Sequence, residues 1–313
     1  MPLSQKDLST SLKMTPRLFQ NDIAKSRNKS TFIMTPPTNY SRLSLNQYTT
    51  FSWNVEDAVK GCERAGLPWI GLWRDKVAEF GLENSACVAR ESGIKISSLC
   101  RGGMFPADSE SERQKRIDDN RRAIDEAATL GTDTLVLVCG GLPDKDLSAA
   151  RQMVYDGITA VVPYAQERGI KLGIEPLHPM YCADRNVIVT LGQANDFALQ
   201  LNAAFPEYQM PVGVVIDVFH VWWDPQVFAE IQRARGIIFG FHICDWITPL
   251  PDVLKGRGMM GDGWIQLRKF REAIDAAGYD GPIEVEIFNE TIWEMPPDKV
   301  LDLMKKRYAR EVM

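Results

Sequence analysis

The chain of 313 residues has only three histidines and six cysteines. The cysteines, at positions 62, 87, 100, 139, 182 and 244, form no C-x-x-C pair and no pairing rhythm. They read as reduced, mostly buried thiols of a cytoplasmic protein, and a disulfide framework is excluded. Basic residues are not in excess: 36 Lys and Arg face 41 Asp and Glu, for a net charge of −5. A nucleic-acid partner would want the opposite balance. No apolar run reaches the roughly 18 residues of a membrane-spanning helix. The N-terminus shows no apolar core of a secretory signal. Neither nucleic acid nor membrane is therefore an expected partner.

What is present is ordinary globular composition, 45% apolar and 25% charged, in a chain long enough to bury a large core. Residues 1–40 stand apart. They hold ten Ser and Thr, six Lys and Arg, two Asp and Glu, and little periodic apolar pattern. Such a segment buries too little apolar surface to offset ordering entropy. It reads as an N-terminal tail, flexible or docked on a partner, that precedes a single catalytic domain over 41–313.

Within that domain short β-rich runs alternate with helical ones. The strand candidates are 42–50, 69–73, 95–101, 134–139, 172–177, 212–219, 237–244 and 283–288. The helix candidates lie near 54–65, 77–92, 110–130, 146–168, 191–202, 225–235, 265–277 and 297–310. Gly66, Gly93, Gly131, Gly169, Gly236 and Gly278 follow the helices where left-handed caps are wanted. Runs such as LVLVC and VGVVI are continuously apolar, as in a parallel sheet covered on both faces. Eight strand–helix pairs over about 270 residues predict a (β/α)8 TIM barrel, an α/β fold, with a flexible N-terminal extension. A doubly wound sheet would want a phosphate-binding glycine loop after the first strand, and none follows Gln47–Phe51. Gly256, Gly258 and Gly261 do spell G-x-G-x-x-G, but well past the seventh strand rather than directly after one, so NAD binding is not expected.

In such barrels chemistry sits at the C-terminal strand ends. The fifth strand runs into GIEPLHPMY, with Glu175 and His178. The sixth runs into VVIDVFHVWWD, with Asp217 and His220. The seventh runs into FGFHICDW, with His242 and Asp245, and the eighth into IEVEIFNE, with Glu286 and Glu290. One acidic residue at a strand end is ordinarily a cap, but four consecutive strands carrying Glu, Asp, His and Glu inside apolar runs are not accounted for that way. Buried carboxylates need partners. A divalent cation held by Glu175, Asp217, His242 and Glu286 would supply one, and that oxygen-rich set suits Mn²⁺, Mg²⁺ or Co²⁺ better than a structural zinc. Glu284 rivals Glu286, since residues two apart on a strand point the same way. The position nearer the strand's C-terminal end favours Glu286.

GIEPLHP, the D-x-x-H of Asp217–His220, FHICDW, the GDG of Gly261–Gly263 and AGYDGPIEVEIF resemble the xylose-isomerase-like barrels, which are divalent-metal sugar isomerases, epimerases and keto-sugar lyases. The resemblance covers residues 42–310. EPLHPMYCADR, HVWWDP and RGMMGDG are most similar to C-glycoside deglycosidase α-subunits. It implies one divalent metal, with Mn²⁺ first, on Glu175, Asp217, His242 and Glu286. It also implies that His220 contacts a substrate hydroxyl, and that Glu175 and Glu286 form an acid–base pair. In the deglycosidase-like branch a histidine beside the first glutamate is the general base, which matches His178 and tilts the expected reaction towards a lyase that cleaves a (C-)glycoside by β-elimination. Isomerisation or epimerisation through a metal-stabilised enediolate is the alternative. The partners implied are a sugar or glycoside substrate and a small β-subunit, a homo-oligomer, or both.

Further candidates for substrate binding are Arg257, Asp245 and Trp246. Asp245 alternatively orients His242 or caps the next element. Arg74 and Arg101 end the second and third strands at the same mouth. Trp53, Trp73, Trp222, Trp223 and Trp246 gather near strand ends, where one or two could stack on a sugar. A DNA-repair endonuclease would need more histidines than three and a more basic surface. A metal-free scaffold would not need the ligand set.

Overall fold

The computed structural model describes residues 39–313. The tail expected over residues 1–40 thus lies, but for its last two residues, outside the described residues. Eight parallel strands close into one barrel: β1 (Leu43–Asn46), β2 (Trp69–Trp73), β3 (Lys95–Gly103), β4 (Thr134–Val138), β5 (Lys171–Ile174), β6 (Val212–Asp217), β7 (Ile238–Ile243) and β8 (Ile283–Val285). Each pairs with its neighbours in chain order, and β8 closes on β1 through Leu43 opposite Ile283. Every strand–helix–strand step is a parallel crossover, and helices cover the outer faces of the all-parallel sheet.

Local chemistry sets the boundaries. Helices Val55–Ala65, Glu110–Leu130, Leu147–Glu167 and Leu191–Ala204 begin at Asn54, Ser109, Asp146 and Thr190, each side chain accepting an amide from the first turn. All six expected cap glycines adopt positive φ. The helix expected near 77–92 is two helices, Arg74–Phe80 and Leu82–Ser92. They break at Gly81, whose φ of 97° lies outside any helix.

Strands expected to run long end early wherever a polar side chain caps a turn. The Asn46 side chain accepts from the Tyr48 amide and turns β1 into the 3-10 turn Gln47–Thr50. Asp217 Oδ1 accepts from the Phe219 amide at 2.9 Å and starts the helical turn Val218–Val221. That turn folds His220 back over the barrel mouth. No helix among the described residues is long and apolar enough to cross a membrane.

Candidate functional site

Strand register brings the acidic groups together. Asp217 on β6 pairs with His242 on β7, and His242 pairs with Glu284 on β8, so these three share one layer of the barrel interior. Glu286, two residues further on, rises to the next layer. Glu175 directly follows β5, its amide bonded to the Leu137 carbonyl of β4. The Asn186 side chain donates to the Glu175 carbonyl at 2.7 Å and locks the turn. Asn186 was not singled out in the sequence, because a loop asparagine carries no signal of its own.

Glu175, Asp217, His242 and Glu286 are all buried, and each offers one donor atom, all within 4.8 Å of one another. Atoms ligating one ion at about 2.1 Å would lie about 3–4.2 Å apart in octahedral geometry, so side-chain shifts of about half an ångström would close the cluster on an ion. Glu175 Oε1, Asp217 Oδ2 and both His242 nitrogens are buried without a well-directed hydrogen bond. They have only ion-pair contacts, Asp217 with Arg257 and Glu175 with His242, a costly state that a cation would relieve. His242 turns Nδ1 towards Glu175 (3.2 Å) and Glu286 (3.5 Å), while Nε2 faces Glu284 at 3.8 Å. Three carboxylates and one imidazole suit a hard divalent ion, so the donor set fits the group that the sequence implied.

Glu284 lies one step below Glu286 on β8, outside the four-residue cluster. Its carboxylate accepts from Asn46 Nδ2 at 2.7 Å, Ser97 Oγ at 2.7 Å and Ser98 Oγ at 3.1 Å. The choice of Glu286 over Glu284 as the upper-layer residue therefore rests on who satisfies whom. Glu284 is hydrogen-bonded by neutral donors, whereas Glu286 faces the cavity.

Arg257 is buried among these groups. Nη1 lies 2.7 Å from Asp217 Oδ2 and 2.9 Å from Glu286 Oε2, with its protons directed at the side chain and carbonyl of Glu286. It enters on a two-stranded antiparallel ribbon, Asp245–Trp246 against Arg257–Gly258, which the sequence did not reveal. The G-x-G-x-x-G string therefore forms a ribbon and turn, not a helix-opening loop.

Ionisation follows from these contacts. Burial raises Glu175, and raises Asp217 to about 7 against the pull of Arg257. Burial works the same way on Glu286, but Arg257 and His242 outweigh it and hold that carboxyl down to about 2. Burial opposes the charged form of His242, yet Glu284, Glu175 and Glu286 overcome it and raise its pKa. These carboxylates are too close to ionise together without a counter-charge, and Arg257 supplies one positive charge for three.

A cavity of about 440 Å³ opens above the cluster, lined among others by Glu175, Glu286, His220, Arg257, Arg101 and Trp73. His220 is buried, and its Nδ1 accepts from the His178 amide at 3.2 Å. Nε2 lies 3.1 Å from Arg257 Nη2, which can only donate, and 3.5 Å from Asp217 Oδ2. A neutral ring has one acceptor nitrogen, so the His178 amide and the Arg257 guanidinium compete for it. Burial, followed by Arg257, lowers the His220 pKa and keeps the ring neutral.

Four of the residues singled out in the sequence do not line the cavity: His178, Asp245, Trp246 and Arg74. Nδ1 of His178 accepts from the Met180 amide at 3.2 Å, and its ring packs on Trp223 and Trp246. The proline that follows it starts a 3-10 turn which needs that cap. Asp245 neither orients His242 nor reaches the cavity, because its carboxylate accepts from the amides of Trp246, Gly261 and Ile265 and ties the loop to the ribbon. Trp246 stacks between His178 and Phe219, while Trp73 is the tryptophan that faces the cavity, its Nε1 donating to Asn46. Arg74, expected at the mouth, is instead paired with Asp119 and Glu126 on an outer helix. Tyr48, Tyr181 and Phe288 line the cavity as well and were not foreseen, since aromatic residues mark cores as often as sites.

A closed eight-stranded barrel with an acidic, metal-capable cluster across its last four strand ends defines a class of metal-dependent barrel proteins. Residues 59–307 match the family model described as the xylose isomerase-like TIM barrel, and the chain belongs to that family. It is 48% identical to protein SMc04130 from Sinorhizobium meliloti 1021, whose structure covers 88% of this chain and 99% of its own, with a TM-score of 0.84. Over 184 residues it is 30% identical to 3-dehydroshikimate dehydratase from Pseudomonas putida, a match that takes in 56% of this chain and 27% of that enzyme. It is 24% identical over 230 residues to L-ribulose-5-phosphate 3-epimerase UlaE from Escherichia coli K12, covering 71% of this chain and 76% of the epimerase.

Proposed function

We propose that this chain is a divalent-metal enzyme, with Mn²⁺ as the first ion to test and Mg²⁺ or Co²⁺ compatible. It removes a proton next to a carbonyl of a sugar or keto-sugar and returns it, as an isomerase or epimerase. The observation that carries this reading is the convergence of one buried ligand atom each from Glu175, Asp217, His242 and Glu286 within 4.8 Å of one another at the floor of the cavity, several of them without a well-directed hydrogen bond. When bound, a divalent ion supplies the Lewis acidity that lets a carbon acid beside a carbonyl lose its proton near neutral pH.

The chain's own groups do the rest. Glu175 and Glu286 both line the cavity and form the acid–base pair that exchanges the proton. His220, kept neutral by burial, contacts a substrate hydroxyl. Arg257 holds a fixed positive charge beside the developing oxyanion. With the His178 ring outside the cavity, the argument that tilted the reaction towards a lyase loses its main support.

Elimination stays as a second reading, because a relative 30% identical is named a dehydratase. The same carbanion would expel a group at the β position, including the aglycone of a keto-glycoside. The test is incubation of Mn²⁺-loaded protein with free ketoses and with 3-keto-glycosides in D₂O. Solvent deuterium in an otherwise unchanged sugar skeleton supports isomerisation or epimerisation. Release of water or aglycone supports elimination, and no exchange with any of them removes the proposal.

A further inference from the structure

One arginine of the cavity lining is engaged by none of the carboxylates around it. Of the arginines at the strand ends, Arg257 is spent on Asp217 and Glu286, Arg74 on Asp119 and Glu126, and Arg185 lies 3.6 Å from Asp184. Arg101 lines the cavity, is partly buried, and its side chain has no hydrogen bond and no ion pair among the described residues. A guanidinium stays charged at any working pH and is shaped for two-pronged contact with a carboxylate or phosphate.

Its place in the barrel fixes what it would meet. Arg101 lies on β3, which in the closed order β1-β8-β7-β6-β5-β4-β3-β2 stands opposite β7, the strand of His242. The acidic cluster occupies the β5–β8 side and Arg101 the far side, with the apolar faces of Trp73, Tyr48 and Phe288 among the lining between them. On the floor, Arg257 engages Asp217 and Glu286, and Asn46, Ser97 and Ser98 satisfy Glu284. Arg185 and Asp184 balance each other. Arg101 is left over.

We propose that Arg101 binds an anionic group, a carboxylate or a phosphate, on the end of the substrate remote from the reacting carbon. This rests on the function proposed above and narrows it from sugars in general to acidic sugars. A neutral polyol would leave the charge of Arg101 uncompensated in a half-enclosed site, where water screens it less than at an open surface.

Matched substrates test it. D-Fructose, D-fructose 6-phosphate and D-fructuronate are compared in D₂O by deuterium incorporation, on Mn²⁺-loaded wild type, Arg101→Gln and Arg101→Lys. Mn²⁺ titration of each variant reports whether the floor of the site is intact. The expected result is that one anionic ketose exceeds the neutral one in kcat/KM by at least about tenfold. Arg101→Gln should then reduce that preference roughly 10- to 100-fold, chiefly through KM, with Lys restoring part of it. Whichever anion is preferred tells phosphate from carboxylate. Equal turnover of the neutral ketose, or a preference that survives Arg101→Gln, overturns the inference while leaving the proposed function standing. If no ketose exchanges, the proposed function falls and calorimetry decides this inference separately. Inorganic phosphate or malonate bound by wild type and lost in Arg101→Gln supports it, and no binding of either anion by wild type rejects it.

Discussion

The backbone amide of His178 lies 3.2 Å from Nδ1 of His220, and this contact joins the loop after β5 to the helical turn after β6. The part of His178 that reaches its neighbour is its main chain, which holds the His220 ring in place, while its own ring caps a turn and packs on tryptophan. His178→Asn keeps the backbone donor and offers a side-chain oxygen for the cap. It should keep metal affinity and most of the turnover, and lose stability of about 0.5–2 kcal/mol. His220→Asn should keep metal binding and lose about 10²-fold in kcat/KM. Steady-state kinetics with Mn²⁺ titration separates the two, and equal kinetic damage from both variants would return the base role to His178.

The His178 ring also predicts a pH dependence. Burial lowers its pKa below the usual 6.5, so between the two values the unfolded chain binds more protons than the folded one. Stability from this group is fully present above the unfolded pKa of about 6.5 and is lost as pH falls from there towards the lower folded value. The cap agrees in sign, because a protonated Nδ1 cannot accept from the Met180 amide. The excess of the wild-type denaturant midpoint over that of His178→Gln should therefore shrink as pH falls from about 7.5 to about 5. The slope common to both proteins belongs to His220, lowered by burial, and to Asp217, Glu175 and His242, whose raised pKa values act in the opposite sense.

The barrel was legible because its signals are local. Apolar runs, cap glycines and Asn, Ser, Asp and Thr N-caps report on single elements, and the order of Glu175, Asp217, His242 and Glu286 on successive strands needs only the architecture to become a cluster. What stayed hidden depends on where side chains point. The string EPLHP placed His178 near the site in sequence, but the turn begun by Pro179 directs its ring outward. Asp245 looked like a site carboxylate until three backbone amides claimed it. Asn46, Ser97 and Ser98, spread over β1 and β3, became visible as a group only when Glu284 gathered them.

Glu284 and Gly71 form the tightest of these hidden pairs. A Cβ at Gly71 would stand 2.0 Å from Glu284 Oε1, so β2 carries no side chain there in order to admit that carboxylate. Gly71→Ala should destabilise the fold by about 1–3 kcal/mol through overpacking, seen as a lower melting temperature. Glu284→Gln keeps the volume but removes the negative charge facing His242 Nε2. A carboxylate behind a metal-ligating imidazole typically accounts for about 10–100-fold in metal affinity, and that loss of Mn²⁺ affinity is expected in calorimetry with the circular dichroism spectrum retained. Unchanged affinity would mean that Glu284 serves only the polar packing of Asn46, Ser97 and Ser98.

Arg257 is the group for which stability and metal binding should trade places. In the metal-free protein its guanidinium is the nearest positive charge to Asp217 and Glu286, at 2.7 Å and 2.9 Å. Removing one partner of a buried ion pair strands the other, at a cost of about 3–5 kcal/mol. Arg257→Met, similar in length and uncharged, should therefore melt well below wild type when stripped of metal by chelator. Saturating Mn²⁺ should restore more of the loss than it adds to wild type, because the dication then neutralises the carboxylates that Arg257 no longer reaches. The measurement is the melting temperature of both proteins with chelator and with Mn²⁺, read as the difference of the two metal-induced shifts. A shift in Arg257→Met no larger than that of wild type would show that Arg257 and the cation do not compensate the same charges. The three carboxylates would then need a different account of how they are held together.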